Sequence, residues 1–198
     1  MNSESPPQRL ILASSSKYRK NLLLRFGFDF DCQSPSIDET AAKNEVPGDL
    51  VRRLAKQKAG FISARYPDAI VIGSDQVAVF EGRIIGKPGN FEAAVEQLSC
   101  FSGQTVRFLT AVCVSCAATG FSEEYTDITE VGFRTLQSKE IERYLQREKP
   151  YDCAGAFKAE SLGITLFNKI TSDDPTALIR LPLIRTAALL RLAGLKLP

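Results

Sequence analysis

Hydrophobic and polar positions follow two rhythms along this chain. Residues 10–13 and 69–72 are short apolar runs without a polar face, bounded by turn residues, and read as buried strands. Longer stretches place apolar residues every three or four positions and read as helices. One carries Leu22, Leu23, Leu24 and Phe26 and stops at Gly27. A second carries Leu50, Leu54, Ala55, Lys58, Ala59 and Ile62 behind a Pro47-Gly48-Asp49 start signal. Residues 91–98 predict a short helix, Ser138 caps a helix that ends before Pro150, and residues 182–195 predict an apolar C-terminal helix. A long β-like segment over 105–116 turns through 117–120 into a second extended run over 123–133, whose alternation suggests an antiparallel pair with one solvated face. Residues 28–32 are a further strand candidate, and Glu81-Gly82 between residues 77–80 and 83–85 is a hairpin signal. Residues 151–167 are aromatic and punctuated by glycine, and no repeat, low-complexity tract or linker interrupts the chain, so residues 1–198 are expected to form one domain.

The stretch around which the rest is organised is 69–76. A buried parallel strand that stops at Gly73-Ser74-Asp75-Gln76 delivers a carboxylate to the carboxyl edge of a sheet, where open α/β folds bind ligands. Asp75 is therefore the first candidate for a reacting group. Taken alone, the same four residues are equally readable as a turn in which Asp75 caps a neighbour.

Composition narrows the chemistry. The chain has 198 residues, 44% hydrophobic and 24% charged, with 25 basic against 23 acidic side chains. A formal charge of +2 carries no footprint of a nucleic-acid polymer or a membrane surface. Residues 1–8 are polar, and the most apolar later stretch, 181–195, is broken by Arg185 and Arg191, so a cytoplasmic protein is expected. Five scattered cysteines are read as reduced, with Cys113 and Cys116 as structural thiols because residues three apart on a strand face opposite ways. Histidine is absent, which excludes imidazole-based triads and histidine-ligated zinc. Proton transfer then falls to carboxylates, lysine, tyrosine or water, and a catalytic metal to oxygen ligands, favouring magnesium or manganese.

Other segments offer partial signals. Ser14, Ser15 and Ser16 lie between a strand and a helix, where free N–H groups, hydroxyls and Arg19 would converge on an anion, although for this motif taken alone a serine N-cap beside a solvated arginine is the favoured reading. Asp38 and Glu39 are either ligands for a hard cation or a solvated acidic turn. Lys58 falls near the apolar stripe of its helix, so its ammonium either snorkels to solvent or meets a buried anion. Gly86-Lys87-Pro88 is no P-loop, because the preceding glycine is one residue too near and proline stands where a hydroxyl is needed. Lys87 nevertheless remains a candidate phosphate contact.

Together these pieces are more specific than they are singly. L-A-S-S-S-x-x-R ending at Arg19, S-I-D-E ending at Glu39, L-A-x-x-K-A around Lys58, G-S-D-Q around Asp75, G-K-P around Lys87 and C-A-G-x-F-K-x-E ending at Glu160 occur in the order and spacing of the Maf family, which the chain resembles over nearly its whole length. The resemblance implies an α/β fold with an elongated mixed sheet, flanking helices and two lobes around a nucleotide cleft. It also implies a nucleoside triphosphate pyrophosphatase, and the details resemble the branch acting on 7-methyl-GTP. By matching positions, Asp75 is the implied general base and metal ligand, with Glu39 as a second ligand for a divalent ion. Ser14, Ser16, Arg19, Lys58 and Lys87 line the implied phosphate region, and Tyr18, Gln76 and Glu160 set base specificity. Two residues depart from the pattern: Lys17 replaces the usual proline, and Arg180 stands where the late motif has glycine. The expected partner is the nucleotide itself, with a homodimer as a further candidate assembly.

These residues supply what phosphoanhydride hydrolysis needs: charge neutralisation, an oriented water and a proton acceptor. An ordinary aspartate is a feeble base for free water, and a metal ion resolves this by lowering the pKa of the water it binds. Methylation at N7 gives guanine positive charge, so an aromatic face from Tyr18 or Phe157 and a carboxylate from Glu160 suit it. Two alternatives stay open: a pyrophosphatase of pyrimidine triphosphates, and a nucleotide-binding regulator with weak activity.

Overall fold

The first apolar run becomes β1 (Leu10–Leu12), which pairs in parallel with the two-residue β2 (Asp31–Cys32) on one side and with β3 (Ile70–Phe80) on the other. The remaining strands are antiparallel: β4 (Arg83–Ile85), β5 (Thr105–Cys116), β6 (Phe121–Phe133) and β7 (Phe167–Thr171). In the computed structural model, which describes residues 9–197, they form one seven-stranded sheet in the order β2-β1-β3-β5-β6-β7, with β4 also on β3. The expectation made for residues 1–8 lies outside the described range. Helices α1 (Lys17–Leu23), α2 (Pro47–Ser63), α3 (Phe91–Phe101), α4 (Ser138–Glu148) and α5 (Leu183–Leu192) flank the sheet. This is the expected elongated mixed α/β architecture.

Strand β3 corrects both readings of its central tetrapeptide. The strand does not stop at Gly73, and residues 73–76 are not a turn; extended backbone continues for eleven residues to Phe80. What stops is its neighbour. Strand β1 pairs with Ile70, Val71 and Ile72, while β4 pairs with Ala78, Val79 and Phe80, and β5 runs along the opposite edge. Residues 73–77 therefore have no strand on the edge that β1 and β4 share, and the sheet is split open at Asp75. In the sequence Gly73 looks like punctuation. Its purpose is steric: a Cβ there would run into the backbone of Ala55 and lie 2.6 Å from the Ala59 nitrogen, so glycine lets α2 settle directly on the strand.

The split also divides the core. Around β1 and the first part of β3, Ile70 and Ile72 pack toward α1 and α5, while Val71 packs against Val51, Ala55 and Ala59 of α2. Beyond the split, Ala78, Val106, Phe108 and Phe133 meet α3 and α4 in a separate aromatic cluster. Two lobes thus share the long strands β3 and β5. Each alternation of side chains along β3 sends Asp75 to the α2 face and Gln76 to the other, as strand geometry requires.

Smaller differences have local causes. The strand expected over 28–32 contracts to two exposed residues, because β1 offers only Ile11 and Leu12 as partners. Ser138 is not the cap of α4. Gln137 is, in a reciprocal capping box with Glu140, and Ser138 is the first helical residue. Helix α3 runs on to Phe101, which is buried against Phe80 and Phe133. All five cysteines are free, Cys113 and Cys116 among the buried ones. No helix among the described residues is long and apolar enough to cross a membrane.

Candidate active site

The split in the sheet opens into a cleft of about 740 Å³ bordered by the serine turn, the loop bearing Glu39, helix α2, the β3–β4 hairpin and Arg180. At its floor α2 and β3 meet. Spacing along α2 places Lys58 one turn after Leu54, within the stripe that packs on the sheet, and the close approach allowed by Gly73 brings its ammonium 2.6 Å from Asp75 Oδ1. Lys58 and Asp75 are both buried, and Glu39 Oε1 lies 2.9 Å from the same nitrogen. Of the two readings for Lys58, the buried anion is the one found. One cation thus holds two carboxylates from separate segments, and the pair at least is sheltered enough for its attraction to matter.

Glu39 reaches this point from a loop without regular structure, and Arg53 of α2 explains how. Its guanidinium donates to both oxygens of Glu45 at 2.7 and 2.8 Å and to the Thr40 carbonyl at 3.0 Å, clamping the loop to the helix. The bond to Arg53 holds the Glu45 carboxyl down at about 2. Arg53 was not singled out from the sequence, where it is one basic residue among several on α2.

The serine turn is knit by its own side chains. Ser14 Oγ accepts from the Ser16 N–H at 3.1 Å and from Arg19 Nη1 at 3.3 Å, while Ser16 is the N-cap of α1. Lys17 occupies the first helical position, where proline is favoured because no intrahelical donor is needed, and lysine fits there without disturbing the turn. Arg19 is buried rather than solvated, and its Nε donates to the Arg180 carbonyl at 3.0 Å. Burial pushes its guanidinium below the usual arginine value, with Asp75 pulling the other way. Part of Arg19 is therefore a strut between the serine turn and residue 180. Lys87 lies exposed across the cleft, with no hydrogen bond or ion pair among the described residues.

The opposite end of the cleft leads to a small recess lined by Tyr18, Gln76, Glu160 and Arg180. Gln76 is fixed by its Nε2, which donates to Thr110 Oγ1 at 2.8 Å and to the carbonyls of Ala177 and Leu178 at 3.0 and 3.3 Å. Its donors are spent, and the amide oxygen is the group it can offer. Tyr18 is half-buried with its hydroxyl 4.0 Å from Cys153 Sγ, and burial pushes its phenol upward. Glu160 is exposed at the rim. Phe157 borders the same recess but is buried, its ring in T-shaped contact with Phe108, Phe133 and Phe167 at 5.3, 5.7 and 4.8 Å as part of the aromatic core. Lys158 is likewise structural, binding the Glu148 carbonyl at 2.9 Å.

Arg180 has a left-handed backbone, φ 83°, at the end of a 3₁₀ turn over Ala177–Ile179. The sequence marked this residue as a departure, and the structure shows why glycine is the easier choice there. Its carbonyl also accepts from Ser74 Oγ at 3.2 Å. Neither Ser74 nor the side chain of Arg180 was expected to contribute to the site.

No group of three or more histidine, cysteine, aspartate or glutamate residues is placed to hold a metal among the described residues. Asp75 and Glu39 do converge on one cationic position, now held by Lys58. Two carboxylates suit an ion of the magnesium type, which completes its shell with water and substrate phosphates instead of a full protein cage.

Comparison with known proteins places the chain in a family. The family described as Maf-like protein matches residues 9–193. A 7-methyl-GTP pyrophosphatase of Xanthomonas axonopodis pv. citri is 54% identical over 96% of this chain and 99% of its own length. Proteins of the same description from Xanthomonas campestris pv. campestris and Albidiferax ferrireducens are 53% and 47% identical, each over 98% of its own length and 96% and 98% of this chain. Among solved structures, the Ham1 protein of Staphylococcus aureus aligns with a TM-score of 0.41 at 14% identity over 64% of this chain and 72% of that one, a likeness too slight to bear on the site. With a match that takes in every segment lining the cleft and relatives near half identical along almost their full length, the chain belongs to the Maf family.

Proposed function

We propose that this protein is a nucleoside triphosphate pyrophosphatase that hydrolyses 7-methyl-GTP to 7-methyl-GMP and pyrophosphate. The observation that carries the reading is the buried Lys58 ammonium held by Asp75 and Glu39 at the floor of a cleft whose walls bring Ser14, Arg19 and Lys87 toward the same space. Relatives at 47–54% identity described as 7-methyl-GTP pyrophosphatases support the choice of substrate.

Each residue has a part set by its chemistry. Ser14, Ser16, the remaining donors of Arg19 and the free ammonium of Lys87 bind phosphate oxygens, neutralising the triphosphate as it enters. Lys58 holds the Asp75 carboxylate in one orientation. Asp75 aligns the attacking water and accepts its proton as the water oxygen bonds to the α-phosphorus and pyrophosphate departs. Asp75 and Glu39 would hold a divalent magnesium or manganese ion, which when bound supplies phosphate charge neutralisation and a more acidic water. At the other end Tyr18 presents a ring face to the base, and Glu160 and the Gln76 amide oxygen accept from its N1 and N2 donors. Five free thiols support a reducing, cytoplasmic setting.

The test is product analysis on a panel of canonical and methylated triphosphates, with and without magnesium or manganese. The expected result is monophosphate plus intact pyrophosphate, fastest with 7-methyl-GTP and dependent on the metal. Diphosphate and orthophosphate, or a preference for pyrimidine triphosphates, would sink the reading.

A further inference from the structure

Arg180 borders both the cleft and the recess, and the machinery above leaves its side chain without a task. Its backbone is dictated by the fold, since its carbonyl joins Arg19 and Ser74, yet a non-glycine residue at φ 83° is strained. The side chain is held by no carboxylate: among the described residues it makes no ion pair, although the exposed Asp152 and Glu160 lie at the same end of the cleft. The side chain lies instead against an aromatic ring, the guanidinium carbon 4.7 Å from the centre of Tyr18. Lys17 Nζ lies 5.2 Å from that centre. Tyr18 therefore already carries a planar, permanently charged partner on the surface that a nucleobase needs.

We propose that Arg180 is a specificity-determining residue that lowers the preference of this site for a cationic, N7-methylated purine over its neutral counterpart, by holding positive charge over the stacking face of Tyr18. The proposal rests on the nucleotide-hydrolysing reading above and deepens it. A neutral guanine displaces the guanidinium from the ring, or shares the recess with it, without charge repulsion. A methylated guanine, cationic itself, meets the like charge of the guanidinium in the same recess, which at the dielectric of a partly exposed cleft weakens its binding several-fold. Glu160 works in the opposite sense, so discrimination in this chain is set by the balance of the two side chains.

The experiment compares kcat/KM for 7-methyl-GTP and GTP in the wild type, Arg180→Gln, Arg180→Gly and Arg180→Lys. The glutamine variant removes the charge and keeps the backbone strain; glycine removes both, and it adopts φ 83° freely, so folding is secure. Both should raise the 7-methyl-GTP to GTP ratio by about three- to tenfold. Lysine should leave the ratio within about twofold of the wild type, because the charge remains. Raising the ionic strength should lift the ratio less in the glutamine variant than in the wild type, because only Lys17 and Glu160 then remain to be screened. Calorimetric titration of 7-methyl-GMP and GMP gives the same ratio without turnover. If the enzyme cleaves neither triphosphate but this binding ratio moves as stated, the reaction is misassigned and Arg180 still selects the base. If 7-methyl-GTP is cleaved and the ratio is unmoved in both uncharged variants, or both substrates weaken equally, Arg180 is a phosphate contact or a bystander and the proposal is overturned.

Discussion

The two ends of the cleft are built differently. At one end Asp75 and Lys58 project from the interiors of a long strand and a helix, both nearly closed to solvent, and their meeting is fixed by the close packing of α2 on Gly73. At the other end Tyr18, Glu160 and Arg180 come from the start of a short helix, a loop and a strained turn. They are held by a long contact to a thiol, by solvent and by a ring, with only Gln76 firmly tied. The contrast separates two duties. Chemistry on a phosphoanhydride is common to every nucleotide and is served by rigid placement, whereas the choice of base is served by side chains that can be exchanged without disturbing the core.

Perturbing each end breaks the comparison in a different way. The largest effect expected is that of Asp75→Asn, which should cut turnover of every triphosphate by at least about a hundredfold while circular dichroism shows a folded protein. Near-normal rates in this variant would move the chemistry away from Asp75. Next is Lys58→Met, which leaves the Asp75 carboxylate buried and unpaired beside Glu39. Urea denaturation should show a loss of about 3 kcal/mol, the low end for breaking a buried pair, because this one borders the cleft. An unchanged midpoint would mean that the pair is not sheltered.

At the base end Glu160→Gln should leave stability alone and lower kcat/KM for 7-methyl-GTP relative to UTP by about tenfold, since one of two charged acceptor oxygens becomes an NH2 donor facing the base donors while phosphate contacts persist. Equal losses on both substrates would place the base elsewhere. The smallest effect lies beneath this end, where the segment leading to Arg180 rests on Asp127 of β6. Ser172 Oγ donates to Asp127 Oδ1 at 2.9 Å, and Oδ2 is buried with no partner. Burial pushes this carboxyl above the usual carboxylate range, with the hydrogen bonds from Ser172 and Thr129 acting against it. A raised carboxyl contributes stability below its unfolded value and loses it as pH rises through its folded one. Asp127→Asn should therefore melt higher than the wild type by a margin that widens from acid to neutral pH. A margin independent of pH would show that Asp127 does not titrate differently on folding.

Much of the architecture was legible because periodicity is a local property. The runs at 10–13 and 69–72, the stripe from Leu50 to Ile62 and the β-like segment over 105–116 each bury one side or all sides, and each formed the expected element. The errors fell where a neighbour decides. Gly73 is punctuation when read alone and a contact surface once α2 is in place, and the strand at 28–32 shrank for want of a longer partner. Phe157 was offered as a stacking ring, but three aromatic neighbours from distant segments claimed it for the core.

By itself the amino-acid sequence determined the classes of chemistry this protein can perform. Without histidine, proton transfer and metal binding fall to oxygen ligands and lysine, and motif order carried the family. Only tertiary structure decided which charges meet. Glu39, Lys58 and Asp75 are nineteen and seventeen positions apart in turn and converge because Arg53 clamps a loop and Gly73 admits a helix. Arg180 lies over Tyr18, 162 positions away, because its carbonyl ties down Arg19 and Ser74. Such encounters depend on the relative placement of packed elements, a long-range property that no window of neighbouring residues contains.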